Sequence, residues 1–229
     1  MLIRGTSGDD TLTGTERSDE MYGSNGRDYL NGLGGNDTMY GGRRNDHIDG
    51  GRGDDWIRGG EGHDELHGAA GDDTLYGSTG NDDIEAGSGN DRLSGGIGRD
   101  ELDGGSGDDR LFGGRGNDEL DGGNGADLLG GGDGDDTLDG GNGDDVLIGG
   151  AGADIFEFDE LSGFDRIEDF EFGVDRIDVE EFEFANFAAM LETGTEVGDD
   201  VVFTLDRGTE ITVLNASLDD FGARDFILA

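Results

Sequence analysis

Aspartate returns at every ninth residue for two thirds of the chain: Asp10, Asp19, Asp28, Asp37, Asp46, Asp55, Asp64, Asp73, Asp82, Asp91, Asp100, Asp109, Asp118, Asp127, Asp136, Asp145 and Asp154. Two positions after each stands a large apolar residue, from Leu12 and Met21 to Leu147 and Phe156. The unit is G-G-x-G-x-D-x-U-x with U apolar, as in GGRGNDELD at 113–121. Its first position is Gly in 16 of 17 units (Ala86 is the exception) and its fourth is Gly in 15 of 17, with Arg17 and Arg44 in the other two. Such glycines permit positive φ and close approach of backbone to a ligand. Carbonyl oxygens then turn into the loop beside the carboxylate. Several oxygen donors on flexible loops suit Ca²⁺ rather than Zn²⁺ or copper.

Nine residues must be arranged to present these donors. A glycine-rich stretch followed by x-U-x predicts a turn and a very short strand, with one side chain inward and two outward. One such unit buries almost nothing, so the fold is expected to be a solenoid in which each turn covers its neighbour. Alternation of units between two facing sheets makes one coil 18 residues. With strands about 4.8 Å apart, the repeats build a rod roughly 40 Å long. Loops on one edge then recur every second unit, so Asp10 neighbours Asp28 and Asp19 neighbours Asp37. A cation between each pair would neutralise carboxylates that otherwise repel. Aspartates that only bond their own turn are the simpler alternative, but turn chemistry does not demand the same residue seventeen times.

These units resemble the repeats-in-toxin (RTX) nonapeptide of secreted bacterial proteins. The resemblance implies an all-β fold, a right-handed parallel β-roll with Ca²⁺ between consecutive loops. It also implies ligands from the Asp carboxylates and from carbonyls of the first four unit positions. The complete loops are those at 50–55, at 59–64 and from 95 to 154. Their carbonyl candidates are Gly51, Gly53, Gly60, Gly62, Gly96, Gly98, Gly105, Gly107, Gly114, Gly116, Gly123, Gly125, Gly132, Gly134, Gly141, Gly143, Gly150 and Gly152. Arg17 and Arg44 put a cationic residue at an expected positive-φ position, which weakens the sites beside them. Nine loops on one edge and eight on the other set a ceiling of eight plus seven sites.

The charge balance agrees. Fifty-seven acidic residues against 15 basic ones leave a formal charge of −42. Without cations such a chain is too charged to fold, so metal-binding energy would be folding energy. The acidity argues against nucleic acid or an anionic membrane as partner. Absence of Cys excludes disulfides and thiolate metal sites. No apolar stretch has the length of a membrane-spanning helix, and the first ten residues carry no Sec-type leader. The expectation is therefore a secreted, extracellular protein, disordered for export and folded by calcium outside. Its class is non-enzymatic calcium-binding module. Repeats beginning at Gly5 suggest a small complete protein; the alternatives are the C-terminal module of a larger exoenzyme (protease, lipase or polysaccharide epimerase) or an adhesin.

We divide the chain into a roll at 1–157 and a C-terminal capping region at 158–229. Eleven of twelve Phe lie after residue 155, and only six of fifty Gly after 157. Two degenerate units, GFDRIE and GVDRID, keep Gly, Asp and Ile in register, so Asp165 and Asp175 could close the last sites. The block from 153 to 178 is similar to the segment ending the roll of secreted RTX metalloproteases. Residues 184–192 predict a short helix, VVFTL and EITVL a hairpin around Arg207 and Gly208, and the remainder a tail. That family carries an uncleaved C-terminal signal for type I secretion; Asp225 to Leu228 resemble it, which implies the type I secretion machinery as a partner.

The two outer faces differ. Odd-numbered units place ten carboxylates in eighteen outward positions, whereas even-numbered units have only Glu20 in sixteen. The second face instead carries Tyr22, Tyr40, Trp56 and Tyr76, then Phe112, Leu128, Val146 and Ile148. Contiguous apolar surface usually marks an interface. We expect residues 158–229 to cover the Phe112 to Ile148 end, leaving the aromatic end for a protein partner or a second copy. No catalytic constellation stands out. His63 and His67 are four apart, but in a loop and strand, where a helical HExxH zinc motif cannot form. His47 reads as a solvated strand residue.

Overall fold

A computed structural model describes residues 1–160, 162–205 and 208–228. Two long sheets face each other across a single-file core. One has thirteen strands and the other eleven, and through the roll successive strands of the chain alternate between them. Pairing along the roll is parallel and in register at 18 residues, with Met21 beside Met39 and Met39 beside Ile57. The all-β parallel roll and its 18-residue coil are as the repeat implied.

The strands are longer than the repeat pattern suggested. Most run six residues, as in Thr38–Arg43, His47–Arg52 and Arg92–Ile97. Each therefore continues past U through the first three positions of the following unit, leaving a turn of only three residues. Two positions per unit face inward rather than one: U and the following first-position Gly. The U column (Met21, Leu30, Met39 and on to Leu147 and Phe156) is 0–1% exposed. Burying one such side chain contributes about 1.5 to 3 kcal/mol, and stacking is what makes each unit's single apolar residue sufficient.

The boundary at 157 is not a break in the sheets. Gly163–Ile167 pairs with Val146–Ala151, and Arg176–Asp178 pairs with Ile155–Glu157, all parallel. Asp200–Thr204 and Thr209–Val213 form the expected antiparallel hairpin, and the helix spans Phe187–Leu191; Arg207, placed at the hairpin tip, lies outside the described residues. Two expectations need correction. Residues 158–229 do not fold back over the Phe112 face; they extend both sheets at the end of the rod and cover Phe156, with Phe170 at 6.1 Å from its ring and Phe203, Phe221 and Phe226 packed behind. The exposed last layer of a solenoid offers more apolar area than a face already half covered, so the cap goes there. The presumed tail is also a strand: Phe226–Ile227 pairs in parallel with Arg176–Asp178.

Candidate metal centre

The repeat aspartates form two columns, one along each edge of the roll. Their carboxylates point inward between coils, and from Asp28 to Asp154 each residue is at most 3% exposed. Oδ1 of each accepts from the backbone N–H of the aspartate one coil earlier: Asp64 donates to Asp82 at 2.9 Å, Asp82 to Asp100 at 2.9 Å and Asp91 to Asp109 at 2.7 Å. The columns run on past the perfect repeats. Asp145 donates to Asp165 and Asp154 to Asp175, both at 3.0 Å.

The second oxygen decides the chemistry. Among the described residues, Oδ2 is buried with no hydrogen-bond partner in all fifteen aspartates from Asp28 to Asp154. A buried, unpaired carboxylate oxygen costs several kcal/mol unless a cation or proton reaches it. The four ends of the columns differ. At Asp10 and Asp19 this oxygen accepts from the N–H and hydroxyl of Thr6 and Thr15. At Asp165 and Asp175 it accepts from the Ser162 hydroxyl and the Glu171 N–H. Sequence treats the seventeen repeat aspartates alike and marks Asp165 and Asp175 only as degenerate; the fold separates fifteen orphaned oxygens from four satisfied ones.

Burial pushes the orphaned carboxyls up. They reach about 7 at Asp46, Asp55, Asp73 and Asp109, about 6 at Asp64, Asp82 and Asp100, and about 8 at Asp145; amide hydrogen bonds oppose the shift and neighbouring aspartates add to it at most of them. Asp19 moves the other way, held down mainly by the Met1 amino group. Ion pairs do not relieve the interior of the columns, because the arginines sit on the outside, as in Arg43 with Glu61 and Arg115 with Asp133.

Glycine lines the columns for two reasons, and the first-position one differs from the expectation. Positive φ belongs to the second and fourth positions, for example Gly51 at 101° and Gly53 at 118°. The first-position glycines have ordinary φ. What excludes a side chain there is space: a Cβ on Gly104 would stand 2.7 Å from both Asp109 Oδ2 and the Gly122 carbonyl oxygen. The glycine thus leaves room beside the orphaned oxygen. All eighteen carbonyl candidates, from Gly51 and Gly53 to Gly150 and Gly152, occupy the positive-φ positions. Of the two arginine departures, Arg44 adopts φ 74° as expected, while Arg17 is not among the positive-φ residues.

Two features escaped the sequence reading. Fifth-position side chains make an outer ladder: Asn81 Oδ1 accepts from Arg99 N–H at 3.1 Å and Asn90 Oδ1 from Asp108 N–H at 2.8 Å. His63 belongs to it, its Nδ1 accepting from Asn81 N–H at 2.6 Å, which takes it away from His67. The bias to Asp and Asn at this position was the available signal. Asp225 is the second: it is 3% exposed and accepts from Gly173 N–H at 2.8 Å and Gly222 N–H at 2.6 Å, ending a column where no repeat remains.

The RTX calcium-binding nonapeptide repeat, in four-copy blocks, matches overlapping segments from 4–39 through 130–160. The chain belongs to that family. Its RTX units are calcium-binding repeats, and the donor set here fits: oxygen only, with an orphaned buried oxygen at each coil. No curated protein matches the chain. Among solved structures it is similar to the AlgE6R3 subunit of a mannuronan C5-epimerase from Azotobacter vinelandii, at 31% identity over 53% of this chain and 78% of that one, with a TM-score of 0.46. It is also similar to the extracellular lipase LipA of Serratia marcescens, at 23% identity over 81% of this chain, with a TM-score of 0.37. The chain spans 40% of that lipase's length.

The outer faces carry rows of their own. On the thirteen-stranded sheet Tyr22, Tyr40, Trp56 and Tyr76 form a continuous row, Tyr22 stacked on Tyr40 and the next two pairs tilted, with centroids 4.8, 5.1 and 5.6 Å apart. On the other, His47 is not a solvated residue: it is half-buried, stacks on Tyr29 at 4.8 Å and pairs with Glu65.

Proposed function

We propose that the chain is a calcium-folded module that holds rows of Ca²⁺ between consecutive loops on both edges of the roll. The fifteen orphaned Oδ2 atoms carry this reading. The ligands would be the aspartate carboxylates from Asp28 to Asp154 with carbonyls of the glycine-rich loops. Bound Ca²⁺ supplies the positive charge that lets neighbouring buried carboxylates stay ionised. The chain's part is to present the oxygens: the Asp N–H to Oδ1 ladder fixes each carboxylate, and first-position glycines keep the space beside it open. The end residues Asp10, Asp19, Asp165 and Asp175 already have partners for Oδ2 and serve as terminators more than as ligands.

From this follows a switch. With a formal charge of −42, the metal-free chain stays unfolded in the low calcium of a cell interior, passes a type I exporter in that state, and folds outside. Extracellular calcium modules have Kd of about 10⁻⁴ to 10⁻³ M, which suits such use. No helix is long and apolar enough to cross a membrane among the described residues. We read the chain as non-catalytic, and the Tyr22 to Tyr76 row as a contact surface for a protein partner. Calcium titration followed by circular dichroism and calorimetry tests the switch. Strand signal should rise cooperatively as many ions bind per chain; a strand spectrum indifferent to chelator would refute it.

A further inference from the structure

The odd-numbered outer face holds a cluster that the calcium columns do not use. His47 lies beside Glu65 across one strand pair, and His67 lies beside Glu85 across the next. Nδ1 of His47 is 2.9 Å from Glu65 Oε2, and Nε2 of His67 is 3.2 Å from Glu65 Oε1. One ligand atom from each of these three residues falls within 4.8 Å of the others. Zn–N and Zn–O bonds of about 2.0 to 2.2 Å in a tetrahedral site put ligand atoms about 3.3 Å apart. The two short separations, one to each Glu65 oxygen, already meet that spacing; the remaining separation, between the two imidazoles, is at most 4.8 Å and closes by small rotations of the half-buried rings.

The surroundings complete the arrangement. Glu85 Oε2 is 2.8 Å from Nδ1 of His67. Accepting the Nδ1–H proton, it leaves Nε2 of His67 with its lone pair directed at the cluster, the carboxylate–histidine pairing that fixes tautomer and ring orientation in metal sites. His47 is held from behind by the Tyr29 ring, stacked within 10° of parallel, and the two imidazoles meet edge to face at 5.2 Å. All of these side chains project from the outer surface of a rigid parallel sheet, whereas Asp64, next to Glu65, points into the column. Two imidazoles and one carboxylate select borderline metals over Ca²⁺, which takes oxygen alone.

We propose that His47, Glu65 and His67 form a second, chemically distinct metal site that binds one Zn²⁺ or a similar transition-metal ion on the surface of the calcium-loaded roll. Glu85 is its positioning residue, and three protein ligands leave a fourth position for water or a partner's side chain. The ion would tie together two adjacent strands, His47–Arg52 and Glu65–Ala70.

The test is calorimetric titration of Zn²⁺ into calcium-saturated protein, with calcium kept in large excess so that the columns stay filled. One equivalent should bind. His67→Ala and His47→Ala should each abolish that equivalent, and Glu85→Gln should weaken it by about 10- to 100-fold. Co²⁺ in place of Zn²⁺ should give visible absorption of a nitrogen-ligated site. Imidazole NMR on the unmutated protein needs no variant to fold: His47 and His67 resonances should shift with Zn²⁺ while those of His63 do not. No uptake by the unmutated protein, unchanged uptake by His67→Ala and His47→Ala, or a shift at His63 alone would each overturn the proposal.

Discussion

Acidifying the metal-free chain should build the roll that alkaline buffer takes apart. The orphaned carboxyls are raised in the folded state, to about 6 at Asp100 and about 7 at Asp109, but lose the proton near the ordinary value of 3.8 when unfolded. Between those values the folded state binds more protons, so stability falls as pH rises from about 4 through 7. A carboxyl raised from 3.8 to about 7 costs about 4 kcal/mol once ionised. Asp46 and Asp109, far apart in the columns, are both raised to about 7, and the two together cost about 8 kcal/mol, comparable with the whole stability of an ordinary domain, about 5 to 15 kcal/mol. Metal-free protein should therefore be disordered at about pH 8 and gain strand structure reversibly toward about pH 5, a window set by these shifts. Circular dichroism with small-angle scattering on resin-stripped protein reads both secondary structure and size. A compact, strand-rich rod at the alkaline end would refute the reasoning, because the columns would then tolerate unpaired charge.

Three further outcomes follow from the same geometry. Asp109→Asn keeps the side-chain shape and an acceptor for the Asp91 N–H, so near pH 8 it should stabilise the metal-free state by up to about 4 kcal/mol while reducing bound calcium, read by paired titrations with and without metal. Gly104→Ala should destabilise the roll by about 1 to 3 kcal/mol through its clash with Asp109 Oδ2 and shift the calcium midpoint upward; Gly173→Ala, at φ 78° with open space around it, should cost only about 1 to 2 kcal/mol and leave the midpoint unchanged. Asp225→Ala strands the Gly173 and Gly222 amides, at about 1 to 3 kcal/mol for each, and hydrogen exchange should show faster opening of the cap with the roll unaffected.

The fold was legible because the nine-residue period leaves one solution. A single buried side chain per unit is useless unless units stack, so Leu12 to Phe156 predict the core column before any coordinate does. The aspartate period likewise predicts neighbours one coil apart, and the oxygen-only donors predict calcium. The helix and hairpin of the cap were visible as amphipathic runs, but their placement was not: Phe156 and Phe170 meet only because the last coil exposes its interior.

Local pattern also could not say why the first-position residue is glycine. Its φ is ordinary, and the obstacle is a carboxylate oxygen five residues on together with a carbonyl from the next coil. Nor could it separate Asp10 and Asp19 from the other fifteen repeat aspartates, since what distinguishes them is that a hydroxyl and an amide reach Oδ2. His47 and His67 are twenty residues apart and unremarkable in sequence; parallel pairing at 18 residues sets them diagonally across one strand gap, with Glu65 between. Sequence by itself determined the period, and through it the architecture and the class of ligand, because those depend on local repetition and on burying one residue in nine. The tertiary structure alone decided which oxygens lack partners and which distant side chains converge, because both depend on contacts made between coils.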